Sequence, residues 1–115
     1  MLDNYYNNKK IKSILGETCS LEGKLKFNDS VKINGSFKGI VNSSGILVIG
    51  ANAKIEANIN AKELVSYGKL DGDVVSEESI QLFYPSEMNG NVKTKKIKIS
   101  DGVIFKGNCD ITSSN

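Results

Sequence analysis

Histidine, arginine and tryptophan are absent from this 115-residue chain, and all 15 of its basic residues are lysine. Histidine is the commonest general base and a common metal ligand, so its absence argues against acid–base catalysis and metal chemistry. The chain also lacks a GxxxxGKS phosphate loop, a GxGxxG turn and a GxSxG elbow. We therefore expect no enzyme activity, no metal, no cofactor and no bound nucleotide.

Long apolar runs are also missing. The longest span only a few residues, as in Ile46 to Ile49, whereas a membrane-spanning helix needs about 20. Residues 1–12 are too polar to form the apolar core of a secretory signal. The net charge of +2 gives no electrostatic footprint for nucleic acid. These features predict a cytoplasmic protein, with a peripheral position at the inner face of the cell membrane as a further expectation.

Cysteine occurs only as Cys19 and Cys109. The two residues fall in the first and last of the repeated units described below, about 24 Å apart and beyond disulfide reach. Two thiols so separated cannot share a zinc ion. We expect both to be packing residues in a reducing compartment, and the alternative is that one thiol meets a partner subunit.

What the chain does contain is an internal repeat of about 17 residues. Its clearest copy is LDGDV at Leu70 to Val74, and five related stretches share a small central residue between larger ones. The central residues are Gly23, Gly39, Ala57, Gly72, Gly90 and Gly107. They are separated by 16, 18, 15, 18 and 17 positions, which indicates a repeat protein with one supersecondary unit per period.

Each unit except the first also carries an earlier pair of apolar residues with one residue between them. The pairs are Val31 and Ile33, Leu47 and Ile49, Val65 and Tyr67, Ile80 and Leu82, and Ile97 and Ile99. Alternation of this kind is typical of strands, and no stretch shows helical periodicity. Units of this length predict an all-β parallel solenoid of about six short coils, each coil paired with the next.

The small central position predicts a tight interior. In LDGDV the glycine either faces inward between two larger residues or marks a bend, and both require a minimal side chain. Because Ala57 replaces glycine once, we interpret the position as limited by space rather than by a positive φ. The residue after it is Asn58, Asp73, Asn91 or Asn108 in four units, and we expect these side chains to hydrogen-bond from one rung to the next.

The sequence divides into a flexible amino-terminal tail at residues 1–13, a β-helix domain at residues 14–111 and a short carboxyl-terminal tail at residues 112–115. The polar composition of the first segment predicts disorder. The alternative is a weak membrane or partner anchor, in which apolar and aromatic residues enter the lipid interface and lysines meet anionic headgroups. The residues of that anchor would be Leu2, Tyr5, Tyr6, Lys9, Lys10 and Lys12.

The motifs run in order from LEGKLKFNDSVKINGSFKGIV through LVIGANAKIEANINA to a proline-containing turn at Tyr84 to Ser86, and they cover about Ile14 to Ile111. In this order they resemble the motifs of the bactofilins. The resemblance implies a single-domain, right-handed parallel β-helix of six coils. It also implies a bacterial cytoskeletal protein that polymerises end to end without nucleotide.

We therefore expect a non-enzymatic scaffold that assembles with itself into filaments. Its other expected partners are a membrane surface, through the tail, and cell-wall or motility proteins, in the service of cell shape, envelope or motility organisation. The alternatives are an adaptor of fixed oligomer size and a carbohydrate-binding β-helix acting on the cell envelope. The predicted polymerisation interface comprises Phe105, Ile97, Ile99 and Ile111 at the carboxyl-terminal end, with Ile14 and Leu21 at the other.

Overall fold

Parallel strands wound into a solenoid make up the fold. The computed structural model describes residues 3–6, 9–15 and 20–111, with side chains from residue 20 onward. Within these ranges there are fourteen strands and no helix. The strands are β1 (Asp3–Tyr6), β2 (Lys9–Leu15), β3 (Ser20–Phe27), β4 (Ser30–Ile33), β5 (Ser36–Ser43), β6 (Ile46–Ile49), β7 (Lys54–Ser66), β8 (Lys69–Asp71), β9 (Val74–Leu82), β10 (Glu87–Asn89), β11 (Val92–Thr94), β12 (Lys96–Ile99), β13 (Ile104–Lys106) and β14 (Cys109–Ile111).

The parallel pairings form three ladders, which we call the first, second and third faces. The first face contains β2, β4, β6, β12 and the carboxyl-terminal parts of β7 and β9. The second contains the amino-terminal parts of β3, β5 and β7, with β8, β10 and β13. The third contains the remaining parts of β3, β5, β7 and β9, with β11 and β14. The predicted all-β parallel solenoid is confirmed.

The register of the second face shows how the predicted units stack. Its inward column, in order of Cα partners, is Leu21, Phe37, Ile55, Leu70, Met88 and Phe105. The six predicted units are therefore six rungs, and about five turns join them. Each of the four inner members of this column packs between those above and below it, and burying one such side chain stabilises the fold by about 1.5–3 kcal/mol.

Alternating burial along the strands produces a single slender core. In β7 every second residue from Ile55 to Ala61 is buried, and the residues between them are exposed. Isoleucine and valine dominate these inward positions, and their branched side chains suit a pleated surface packed on one side. The core runs along the axis, so the molecule's two ends are cross-sections through it.

One of the apolar pairs identified by alternation lies outside the core. The structure buries Leu64 and Ser66 at this place and turns Val65 and Tyr67 outward. The cause is a register shift between Ala61 and Glu63, which moves the following residues by one position. A shift by one residue exchanges the two sides of a strand.

The small central residues lie in one column along the boundary between the second and third faces. Five have positive φ values between 138° and 143°, namely Gly23, Gly39, Gly72, Gly90 and Gly107. A Cβ built on Gly39 would overlap the carbonyl oxygen of Gly23, and one on Gly72 would overlap that of Ala57. The interpretation that space rather than φ sets this position is wrong, because all five glycines need a positive φ and four of them, Gly39, Gly72, Gly90 and Gly107, also lack space for a Cβ.

The residues that follow this column form a ladder on the outer surface. Asn58 Oδ1 accepts a hydrogen bond of 3.4 Å from the backbone N–H of Asp73. Asp73 Oδ1 in turn accepts one of 3.3 Å from the backbone N–H of Asn91. The expected rung-to-rung hydrogen bonding is confirmed for these three residues, with backbone groups as the donors.

The amino-terminal segment contributes strands to the first face. β2 pairs parallel with β4, and β1 folds back to pair antiparallel with β2. The described part of the segment that we expected to be a flexible tail is thus placed in the sheet, because the open edge of β4 offers backbone partners. The domain boundary at residue 13 stays a prediction, and residues 112–115 lie outside the described residues.

Candidate assembly surfaces

The carboxyl-terminal end of the stack is an open sheet edge on all three faces. Among the described strands, β12 pairs only with β9, β13 only with β10, and β14 only with β11. Each of the three therefore presents one row of backbone N–H and C=O groups that no described strand pairs with. Such edges pair readily with another chain unless something covers them.

Inward side chains are less buried in the last rung, formed by β12, β13 and β14, than in the rung before it. Phe105 pairs with Met88, which is 1% exposed, yet Phe105 itself is only half-buried. On the first face Ile99 follows Leu82 in register, and exposure rises from 0% to 45%. In the same way, Ile97 is half-buried, whereas its register partner Ile80 is fully buried. These side chains belong to the core by register, but each has core neighbours on one side only.

The third face ends in the same manner. Ile111 follows the buried Thr94 in register and is 48% exposed, and Cys109 follows the buried Val92 and is exposed. Partial burial of the Cys109 thiol raises its pKa, and the neighbouring Asp110 carboxylate adds to that rise. Cys109 is therefore mostly a neutral thiol at neutral pH, in the inward column of the last rung. We expected Cys109 to be a packing residue. It does lie in an inward column, but no described residue covers it, and its side chain is exposed.

Charge surrounds this apolar end. Residues 92–111 contain the five lysines Lys93, Lys95, Lys96, Lys98 and Lys106 and the two acids Asp101 and Asp110, a net charge of 5 − 2 = +3. All seven are exposed. Contact between this end and another apolar surface would thus gain from burial, while a basic partner would be repelled until salt screens the lysines.

At the amino-terminal end β3 is an edge strand, since β5 is its one partner among the strands that the structure describes. Leu21 lies on the buried Phe37 in register and is 43% exposed. Leu25 and Phe27, on the same strand, are half-buried against the core. The sequence analysis missed these two, although LEGKLKF shows the alternation that places them on the same side as Leu21.

The other predicted interface and anchor residues that the structure describes lie at this amino-terminal end. Ile14 falls where the register of β2 shifts, between Ser13 and Leu15. Tyr5 and Tyr6 are in β1. The three lysines of the amino-terminal segment, Lys9, Lys10 and Lys12, are in β2. Leu2 and Cys19 lie outside the described residues.

The described part of the chain offers no cluster of metal ligands. It contains no group of three or more His, Cys, Asp or Glu residues arranged to hold a metal ion. Among the same residues, none forms a helix of the length and apolarity required to span a bilayer. The open ends are therefore the most distinctive chemical surfaces of the solenoid.

Comparison with known proteins places this architecture in a family. A family model described as "Bactofilin: Polymer-forming cytoskeletal" matches residues 13–110. Bactofilin BacO of Myxococcus xanthus (strain DK1622) is 25% identical over 99 residues, which cover 86% of this chain and 79% of that protein. Bactofilin BacP of the same organism is 23% identical over 99 residues, 86% of this chain and 41% of that protein. No solved structure gives a significant match.

Proposed function

Because this chain belongs to the bactofilin family, which is polymer-forming and cytoskeletal, we propose that it assembles end to end through the rung formed by β12, β13 and β14. The family is structural, so the chain is a non-enzymatic cytoskeletal protein. Self-association follows from the family, and the end-to-end geometry is our proposal.

One observation carries the proposal: the core columns end uncovered. Phe105, Ile97, Ile99 and Ile111 lie one rung beyond fully buried residues. A second subunit stacked here would complete their burial, at about 1.5–3 kcal/mol for each side chain fully buried. It would also supply hydrogen-bond partners to three edge strands at once.

Assembly of this kind needs no nucleotide, since coil stacking supplies the driving force. The resulting filament would scaffold other proteins in cell shape, envelope or motility organisation. We also propose that the amino-terminal segment, with its tyrosines and lysines, attaches the filament to a membrane surface. A weak contact repeated along a polymer binds well through multivalency.

Replacing Phe105 by Arg tests the end-to-end joint. A guanidinium in an apolar contact is costly to desolvate, so we expect Phe105→Arg to remain folded and to lose long filaments. If like ends meet, the variant forms dimers through its amino-terminal ends; if unlike ends meet, it forms monomers. Circular dichroism reports folding, and analytical ultracentrifugation with negative-stain microscopy reports size.

Ile40→Arg is the matched control, because Ile40 is 44% exposed on the side of the solenoid rather than at its end. Ile40→Arg should form filaments like the unmodified protein. Ile99→Arg provides a second test at the end with less disturbance of the core. Long filaments from both end variants would refute the joint, and a discrete oligomer from the unmodified chain would favour an adaptor.

A further inference from the structure

The outer side of the first face carries an apolar patch. Its residues alternate with the buried ones in β6 and β7 or directly follow β7 and β9. Tyr67 and Phe83 lie next to each other there, with ring centroids 5.3 Å apart and an interplanar angle of 22°. We call this set the first-face patch: Ile46, Val48, Val65, Tyr67 and Phe83.

The outer sides of the other two faces differ in chemistry. In the middle rungs, the second face presents an alternation of lysines and carboxylates, among them Lys38 and Glu56, which form an exposed ion pair at 3.9 Å. The third face presents the ladder of Asn58, Asp73 and Asn91. An apolar outer surface of several adjacent residues is thus a property of the first face.

Lysines flank the patch along the axis. Lys32 lies one rung towards the amino-terminal end of it, paired in register with Val48. Lys96 and Lys98 lie on the rung at the other end, paired with Ser79 and Gln81. Among the outward residues of this face from Ser30 to Ser100, Glu63 is the one carboxylate, and it accepts a hydrogen bond of 3.5 Å from Ser79 Oγ. The face therefore combines an apolar centre with basic margins.

We propose that the first-face patch lies on the surface of an anionic lipid bilayer and so determines which side of the filament faces the membrane. Tyrosine and phenylalanine beside aliphatic residues suit the region between headgroups and acyl chains. The flanking lysines are placed to meet anionic headgroups. β1 and β2, which contain the tyrosines and lysines of the amino-terminal segment, continue the same face.

The size of the patch favours a lipid surface over a single protein partner. Three rungs spaced by about 4.8 Å, each contributing a strip of about four residues at 3.3 Å, span roughly 190 Å². A stable protein–protein contact buries about 800 Å² on each partner. A small contact becomes strong when a polymer repeats it, so this inference rests on the proposed filament.

Charge disfavours a second copy of the chain as the occupant. Two patches facing each other around a twofold axis across the rods would place Lys32 near Lys98 of the second copy. A twofold axis along the rods would place each lysine near its own equivalent. Both arrangements juxtapose like charges, whereas an anionic bilayer attracts the same lysines.

Val65→Glu tests the inference, with Val75→Glu as the matched control. Both valines point outward from strands, but Val75 is on the third face and 45% exposed. We expect filaments of Val65→Glu to bind vesicles of equal parts phosphatidylcholine and phosphatidylglycerol about tenfold more weakly, with Val75→Glu unchanged. Flotation of the full chain with vesicles in a density gradient measures binding without interference from filaments that sediment by themselves.

A lysine pair gives a second comparison. Lys96→Gln with Lys98→Gln should weaken flotation and its salt dependence, whereas Lys24→Gln with Lys26→Gln on the third face should not. Equal flotation of the variants and their controls overturns the inference. Loss of side-by-side filament association in Val65→Glu, with flotation unchanged, also overturns it and assigns the patch to a second copy. Absence of filaments from the unmodified chain counts against the proposed function instead.

Discussion

The column of small residues shows how one position can be constrained twice. Gly72 has a φ of 140°, where side chains other than glycine are strained, and a Cβ there would overlap the backbone of Ala57. Strain of this kind costs about 1–3 kcal/mol, and overpacking costs a similar amount. The glycine therefore fixes both the path of the chain and the distance between rungs.

Gly72→Leu should lower stability by several kcal/mol, whereas Ala57→Gly should cost no more than about 1 kcal/mol. The reason is that leucine violates both constraints, while glycine at position 57 adds backbone freedom and removes one methyl group. Thermal unfolding followed by circular dichroism measures both. An unchanged unfolding temperature for Gly72→Leu would show that the column tolerates a side chain.

Single residues also show where sequence reasoning succeeds and fails. Phe37, Ile55 and Leu70 were identifiable as inward residues because an apolar residue recurs at the same place in each unit. Ser66 was not, since it is polar, yet it is fully buried and its hydroxyl donates to the carbonyl oxygen of Gly68. A register shift that exchanges the sides of a strand leaves no mark in composition.

At the scale of strands, internal rungs were predictable and the ends were less so. Internal strands share length and alternation with their neighbours, as in β4 and β6. β1 and β2 are polar, and their assignment to the sheet depends on the backbone edge of β4 rather than on their own side chains. The missed residues Leu25 and Phe27 lie at the same end, where the first unit lacks a clear leading pair.

Deleting residues 1–13 should leave filaments intact and weaken vesicle binding. The deletion keeps β3 and the carboxyl-terminal rung, whose apolar side chains we propose to meet at the joints, and it removes three lysines and two tyrosines from the first face. Negative-stain microscopy measures the filaments, and flotation with the anionic vesicles measures binding. Deleting residues 1–6, which keeps the three lysines, separates their contribution from that of the tyrosines. Undiminished flotation after the longer deletion would exclude the segment as an anchor.

For the whole molecule, the joint that we propose at the carboxyl-terminal rung requires nothing beyond a second copy of the chain. We therefore expect filaments to form in protein freed of nucleotide, as seen by negative-stain microscopy.

Cys109 offers a chemical measure of filament assembly, because it lies in the carboxyl-terminal rung. In a Cys19→Ser variant, alkylation of Cys109 should be slower in filaments than in dispersed Phe105→Arg protein. The raised pKa means that alkylation of the dispersed protein accelerates as pH rises above neutrality.

Dispersed protein that forms filaments only after ATP or GTP is added would refute nucleotide independence. Equal alkylation rates in filaments and dispersed protein would show that Cys109 remains outside the joint. The two results are independent, because the first concerns the driving force and the second the location of the contact.

The direction of the hydrogen bonds between paired strands has a mechanical consequence. In a parallel solenoid these bonds run along the axis from rung to rung. Tension on a filament would therefore act along the bonds of all three faces at once. Inside a subunit the winding chain also connects successive rungs, whereas no covalent bond crosses the joint between subunits. A stretched filament should therefore rupture at the rung of Phe105, releasing folded subunits that can anneal again.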